Sequence, residues 1–264
     1  MKLRVVTWNI NSVRIRTDQI ARFVAEHAPD VICLQEIKCR DGEFPTNAFA
    51  EMGLPHVAIK GQKGWHGVAT VSRLPIEAGP VLDLCKRGEA REVCAIVAGV
   101  EIHNFYIPAG GDTPDRDLNP KFDHKLDFFE RLAARMATRD PKAPLLVTGD
   151  LNVAPGEHDV WNHKYMSRIV SHTPVEIEAM KTLQTSLGFV DLVREAIPDP
   201  EKLFSWWSYR AADFRASGRG LRLDHLWASP GLAMKSTRAA RVHDDVRAWE
   251  RPSDHAPVSV DLDV

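Results

Sequence analysis

The apolar positions change period twice within the first forty residues. "LRVVTWNI" is rich in β-branched residues and reads as a strand, and "RTDQIARFVAEHAPD" then sets Ile20, Phe23, Val24 and His27 at helical spacing before Pro29 stops the helix. "DVICLQE" is a continuous apolar run, as expected of a strand buried on both faces. From Val57 to Pro108 the pattern becomes strand after strand: "HVAIK", "GVATVSR", "VCAIVAG" and "VEIHNFYIP", separated by turns containing Gly or Pro. A helix with Leu126, Phe129, Ala133 and Met136 on one face follows, and "APLLVTGD" is the next buried strand. Thr173, Pro174 and Glu176 form a helix-start signature with a capping box, and Ile177, Met180, Leu183 and Leu187 carry that helix's apolar face. The strands "LFSWWSY", "LRLDHLWAS" and "APVSVDLDV" complete the chain.

Helices and blocks of strands alternate twice, with no linker, low-complexity tract or fixed-period repeat between them. This predicts an α/β protein with two sheets packed face to face and helices outside, organised as one domain over residues 1–264.

Composition narrows the function little. Hydrophobic residues make up 44% of the 264 and charged residues 27%, and the net charge of −2 gives no global sign of a polyanion partner. A nucleic-acid site would have to be a local basic patch. Cys33, Cys39, Cys85 and Cys94 show no C-x-x-C pair and no zinc-type spacing, so reduced thiols in a cytoplasmic protein are expected. No signal-peptide core and no membrane-length apolar run is present, so no membrane partner is expected.

The chemistry collects where strands end. "TWNIN" offers Asn9 and Asn11, "CLQEIK" Glu36, "NFYIPAG" Tyr106, and "VTGDLN" Asp150 and Asn152. "LRLDHLW" adds Asp224, and "RPSDHAPV" adds Asp254 and His255 just before the last strand. Any one Asp or Asn at a strand end can simply shape a turn. The whole set is harder to assign to turns, because strand ends in layered α/β folds are where ligands bind. Carboxylates and carboxamides are hard oxygen ligands that suit Mg²⁺ or Mn²⁺. The absence of a P-loop, G-x-S-x-G and G-x-G-x-x-G argues against an NTPase, an esterase and a dinucleotide enzyme. A hard cation beside a histidine, a tyrosine and an Asp/Asn pair suits phosphate-ester hydrolysis.

In order and spacing, "WNIN", "LQEIK", "FYIPAG", "GDLNVAP", "GLRLDHLWAS" and "SDHAPV" resemble the endonuclease/exonuclease/phosphatase superfamily, over essentially the whole chain. "WWSYRAADFRASGRGLRLDH" resembles its exonuclease III branch of abasic-site endonucleases. The resemblance implies a four-layer α/β sandwich of the DNase I type, two packed mixed sheets flanked by helices, with the site at one end. It implies a Mg²⁺ ion, replaceable by Mn²⁺, held by Glu36 with Asn9 close by. Asp254 would be a second-ion ligand, and Asp150, Asn152 and His255 would complete the metal-side set. Asp150 would orient and deprotonate the attacking water and Asn152 would help hold it. Asp224 would orient His255 toward the phosphate, which Tyr106 would also contact. Trp206, Leu221 and Leu223 map onto the family's pocket for an abasic sugar.

The implied substrate is double-stranded DNA with abasic sites or damaged 3′ ends, cut by a monomer. Ala109 departs from the Asn or Gln, and Asn11 from the Asp, that relatives carry. Between Trp206 and Leu223, Arg210, Arg215, Arg219 and Arg222 are interleaved with Trp206, Trp207, Tyr209 and Phe214. This reads as a strip for nucleic-acid backbone, in which Arg215 and Arg219 are the substrate-binding candidates, or as a solvated loop over core aromatics. Lys60, Lys63, Trp65, Lys86, Arg87 and Arg91 are candidates for gripping the flanking strands. A phosphatase acting on a small or lipid phosphate, and a non-catalytic nucleic-acid-binding protein, stand as the alternatives.

Overall fold

The computed structural model describes residues 1–210, 213–236 and 239–264. One sheet runs, in spatial order, β13 (Ala240–Val242), β14 (Val258–Asp263), β1 (Lys2–Asn9), β2 (Val31–Gln35), β4 (Val68–Ser72) and β3 (His56–Lys60). The other runs β5 (Ile76–Ala78), β6 (Glu92–Val97), β7 (Val100–Tyr106), β8 (Leu145–Asp150), β12 (Asp224–Ala228) and β9 (Val190–Asp191). Both are mixed, with β1 parallel to β2 and β7 parallel to β8 among otherwise antiparallel pairs. The expected pair of sheets is present.

Side-chain alternation builds the layers. Leu3, Val5, Val31, Cys33, Val258 and Val260 of the first sheet meet Val97, Ile102, Leu146, Leu226 and Ala228 of the second in one buried cluster. Residues of opposite parity face outward. Val6, Trp8, Ile32 and Leu34 pack on α1 (Thr17–His27) and on Phe49 of α2 (Thr46–Glu51). Phe105, Leu145 and Val147 pack on Phe128, Phe129 and Leu132 of α3 (Pro120–Met136). Met180, Leu183 and Leu187 of a further helix at Pro174–Leu187 join the same layer, whereas Ile177 is only half-buried. That helix begins with Pro174 at its first turn and with the Thr173–Glu176 capping box. The fold is a four-layer α/β sandwich, helix, sheet, sheet, helix.

The inward faces change character along the strands. Inward residues of β1 run Leu3, Val5, Thr7, Asn9; those of β2 run Val31, Cys33, Gln35; those of β7 run Val100, Ile102, Asn104, Tyr106; and those of β8 run Leu146, Thr148, Asp150. β12 runs the opposite way and sets Asp224 against Asp150. The space between the sheets is therefore apolar at one end and polar at the other. A fully buried bridge marks the change: Gln35 Nε2 donates to Thr7 Oγ1 at 3.0 Å and to Asn104 Oδ1 at 2.7 Å. Asn104 Nδ2 donates to the Leu34 and Ala69 carbonyls at 3.1 and 3.0 Å. Buried amides need such partners, and here the partners tie one sheet to the other.

"LFSWWSY" forms much less strand than expected. Only β10 (Trp206–Trp207) pairs, in a two-stranded ribbon with β11 (Gly220–Leu221). All four cysteines are unpaired, and Cys33 is fully buried. Among the described residues, no helix is long and apolar enough to cross a membrane.

Candidate active site

The polar end of the sandwich opens into a cleft of about 700 Å³. Glu36, Tyr106, Asp150, Asn152, Asp254 and His255 all line it. Asn9 lies directly beneath, fully buried, and its Nδ2 donates to Glu36 Oε1 and to Asp150 Oδ2, each at 2.9 Å. One amide from the first sheet thus holds a carboxylate of each sheet. Tyr106 Oη also donates to Glu36 Oε1, at 2.9 Å, so this phenol is turned toward the carboxylate.

On the opposite side, Asp224 Oδ2 meets His255 Nδ1 at 2.8 Å and accepts from Ser205 Oγ at 2.6 Å. His255 Nε2 points the other way, 3.7 Å from Asp150 Oδ2. The three form a buried row in which the imidazole is clamped between two carboxylates. Burial opposes a charge on His255, but Asp224 and Asp150 outweigh it and raise its pKa to about 10. Burial raises Asp150 to about 7, with the His255 charge pulling in the other direction. At neutral pH the ring is an imidazolium, a form that can donate to a phosphate oxygen.

Asn152 stands at φ 56°, a left-handed conformation that Asn tolerates better than most residues. Its N–H donates to Asp150 Oδ1 at 3.0 Å and its Nδ2 to the Ile107 carbonyl at 2.9 Å, and the side chain lines the cleft. Beneath it lies Lys125, fully buried on α3. Lys125 Nζ donates to the Asn152 carbonyl at 2.8 Å, to the Ala109 carbonyl at 3.3 Å and to Glu176, which is itself fully buried.

The donors suit a hard divalent cation. Asn9 brings Glu36 and Asp150 close together, and two carboxylates so held repel unless a cation lies between or beside them. The Lys38 ammonium already occupies part of this oxygen-rich space, 2.9 Å from Glu36 Oε2 and 2.5 Å from Asn11 Oδ1. Asp224 Oδ1 is buried without a hydrogen-bond partner. Asp254 contributes less freely, because its Oδ2 accepts from Trp206 Nε1 at 3.0 Å and its Oδ1 from Asn11 Nδ2 at 3.1 Å.

Trp206, Leu221 and Leu223 give the cleft an apolar lining beside its polar groups, with Trp206 bridged to His255 through the backbone, and Trp161, Tyr165 and Met166 extend it. Those last three were not read from the sequence, where "VWNHKYM" shows no clear period. Arg210 and Arg219 line the rim, and Arg219 lies 4.9 Å over the Trp161 ring. The basic strip is shorter than expected. Arg215 does not line the cleft: it projects from a short helix at Phe214–Ser217 and pairs with Asp244 at 3.3 Å. Arg222 is almost fully buried and binds Asp159 and Asp191. Trp207 and Phe214 belong to a core cluster, and Asp213 caps the short helix at Phe214–Ser217. Of the outlying candidates, Trp65, Arg87 and Arg91 line a smaller neighbouring cavity, while Lys86 pairs with Asp127.

Residues 6–255 match the Endonuclease/Exonuclease/phosphatase family. The chain belongs to that family. A family relative, exodeoxyribonuclease III of Haemophilus influenzae, is 33% identical over 97% of this chain and 98% of its own. Among solved family members, an AP endonuclease from Archaeoglobus fulgidus superposes with a TM-score of 0.91 at 32% identity, covering 99% of this chain and 100% of its own. A 3′ phosphatase from Neisseria, bound to a product DNA hairpin, superposes with a TM-score of 0.89 at 32% identity over the same shares. The family is one of metal-dependent nucleases, and the acidic, oxygen-rich cleft is in keeping with that.

Proposed function

We propose that this cleft hydrolyses the DNA backbone 5′ to abasic sites and trims damaged 3′ ends of duplex DNA, using Mg²⁺. The coarser part rests on kinship: full-length relatives are an exodeoxyribonuclease and an AP endonuclease, and the protein is a hydrolytic nuclease of DNA repair. The finer part rests on one observation. A single cleft is lined both by carboxylates and a charged imidazole and by apolar Trp206, Leu221 and Leu223, with Trp206 bridged to His255 and bonded to Asp254, and with exposed Arg219 beside them.

In this reading Glu36 is the principal Mg²⁺ ligand, with Asn9, Asp150, Asn152 and Asp254 around it, while His255, an imidazolium, faces the phosphate and not the ion. The bound cation would neutralise phosphate charge and stabilise the oxygens that gain charge during cleavage. The chain's own groups do the rest. Asp150 takes the proton of the attacking water, while Asn152, held from behind by Lys125, fixes where that water sits. His255, oriented by Asp224, donates to a non-bridging oxygen, and Tyr106 keeps Glu36 in place. The apolar residues Trp206, Leu221 and Leu223 would accept an extruded sugar that carries no base.

Asp150→Asn tests this assignment. The change is nearly isosteric and should leave the melting temperature at or above wild type. Single-turnover cleavage of an abasic duplex should fall by roughly 10²–10⁴-fold, the usual cost of losing a general base, while binding in Ca²⁺ persists. Cleavage near the wild-type rate would remove Asp150 from the chemistry. Preference for soluble phosphomonoesters over abasic duplex, on a panel that includes recessed and 3′-phosphate ends with Mg²⁺ or EDTA, would favour the phosphatase alternative.

A further inference from the structure

Beside the cleft, three donors of a different chemical kind converge from separate parts of the fold. Cys85 and Glu89 lie on the connection between β5 and β6, in the turn "CKRGE", where Gly88 N–H donates to the Cys85 carbonyl at 3.0 Å. His124 comes from α3 and is almost fully buried. Cys85 Sγ lies 3.5 Å from His124 Nε2 and 4.0 Å from Glu89 Oε2, and the same carboxylate oxygen lies 3.5 Å from His124 Nε2. His66, on the connection between β3 and β4, lies behind the carboxylate, its Nε2 3.8 Å from the other Glu89 oxygen, Oε1.

We propose that Cys85, Glu89 and His124, with a water molecule completing the tetrahedron, form a site for Zn²⁺, separate from the oxygen-donor centre of the cleft. Zinc bonds of about 2.3 Å to sulfur and 2.0–2.2 Å to nitrogen or oxygen, opened at tetrahedral angles, set ligand atoms about 3.4–3.6 Å apart. The observed 3.5, 3.5 and 4.0 Å edges need only a few tenths of an ångström of closure. A thiolate and an imidazole select zinc over magnesium, so the two sites sort cations by softness. On binding, the Cys85 thiol gives up its proton to solvent and the sulfur becomes a thiolate ligand. One thiolate and one carboxylate then balance the charge of the ion. Arg91 Nε already donates to Glu89 Oε2 at 2.5 Å, the kind of hydrogen bond that steadies a ligating carboxylate. Occupancy would fasten the loop at 83–91 to α3. The Arg91 guanidinium of that loop lies 4.9 Å over the Tyr106 ring, so the site adjoins the wall of the cleft.

Cobalt(II) reports the site without reference to activity. Titration of the intact protein with Co²⁺ in excess Mg²⁺ should give one equivalent showing a thiolate-to-cobalt charge-transfer band and tetrahedral ligand-field bands. Cys85→Ser should erase the charge-transfer band. His124→Asn should weaken Zn²⁺ binding at least about a hundredfold, since even outer-shell changes cost 10–100-fold. Glu36→Gln should leave the band in place. A wild-type protein without the band, or a band that survives Cys85→Ser, overturns the proposal. A measurement needing no variant is alkylation of Cys85 followed by mass spectrometry, which Zn²⁺ should slow strongly; an unchanged rate overturns the proposal equally.

Discussion

Lys125→Met removes a charge from a place with no water. Both Lys125 and Glu176 are fully buried, and burial lowers the Lys125 pKa while Glu176 pulls it back. The glutamate is held on its other side by Ser171 N–H, at 2.9 Å to each oxygen, by Thr173 N–H at 3.1 Å and by Thr173 Oγ1 at 2.6 Å. Methionine fills nearly the same volume, so the loss is electrostatic and not a cavity. Stranding one member of a buried ion pair costs about 3–5 kcal/mol. At about 2–4 °C per kcal/mol for a chain of this size, the melting temperature should drop by roughly 6–20 °C. The Asn152 carbonyl also loses its closest donor, so cleavage should slow even well below the melting range. The double variant Lys125→Met/Glu176→Gln carries no stranded charge and should recover part of the stability but not the rate. Thermal melts and single-turnover cleavage on the same preparations decide the matter. A single variant that melts within about 2 °C of wild type would refute the claim that this pair is a dry, mutually dependent unit.

Three further outcomes follow from the geometry. In EDTA, stability should fall as pH rises from about 6.5 to 10: the raised pKa of His255 gives a contribution fully present below its unfolded value and lost as pH passes about 10, and raised Asp150 acts with the same sign through about 7; melts across that range should be flatter for His255→Gln. Arg219→Glu should weaken duplex binding and flatten its dependence on salt, whereas Arg215→Glu, tied to Asp244 away from the cleft, should change both much less, as binding isotherms at several salt concentrations will reveal. Gly149→Ala should destabilise by about 3 kcal/mol or more, because φ is 129° there and a Cβ would sit 1.9 Å from the Phe105 carbonyl oxygen; a denaturant titration measures this.

The long elements were legible because each carries a clean period with a stop: α1 ends at His27, with Ala28 as its cap just before Pro29, and the Thr173–Glu176 box opens its helix as expected. The acidic strand ends were legible because polar residues close apolar runs there. Arg222 was misread although the same alternation was available. Leu221 and Leu223 face the cleft, so Arg222 between them faces the other way, toward Asp159 and Asp191, 63 and 31 residues distant. No local pattern announces partners that far off. Lys125 was hidden for the same reason: it adjoins the apolar face of α3, and its partner Glu176 was accounted for as a helix cap. The buried Gln35–Asn104 bridge was equally silent, since a single amide in an apolar run looks like an ordinary strand end.

The graded inward faces make the two sheets a measuring device. Asn9, Glu36 and His255 hang from one sheet or its loops, while Tyr106, Asp150 and Asp224 hang from the other. A slip of the layers by a fraction of an ångström would misalign every one of these pairs together and leave the fold standing. Substitutions such as Val5→Ala or Ile102→Val, deep at the apolar end and touching no part of the cleft, should therefore act on the reaction like a misadjusted vernier, costing rate before they cost the native state.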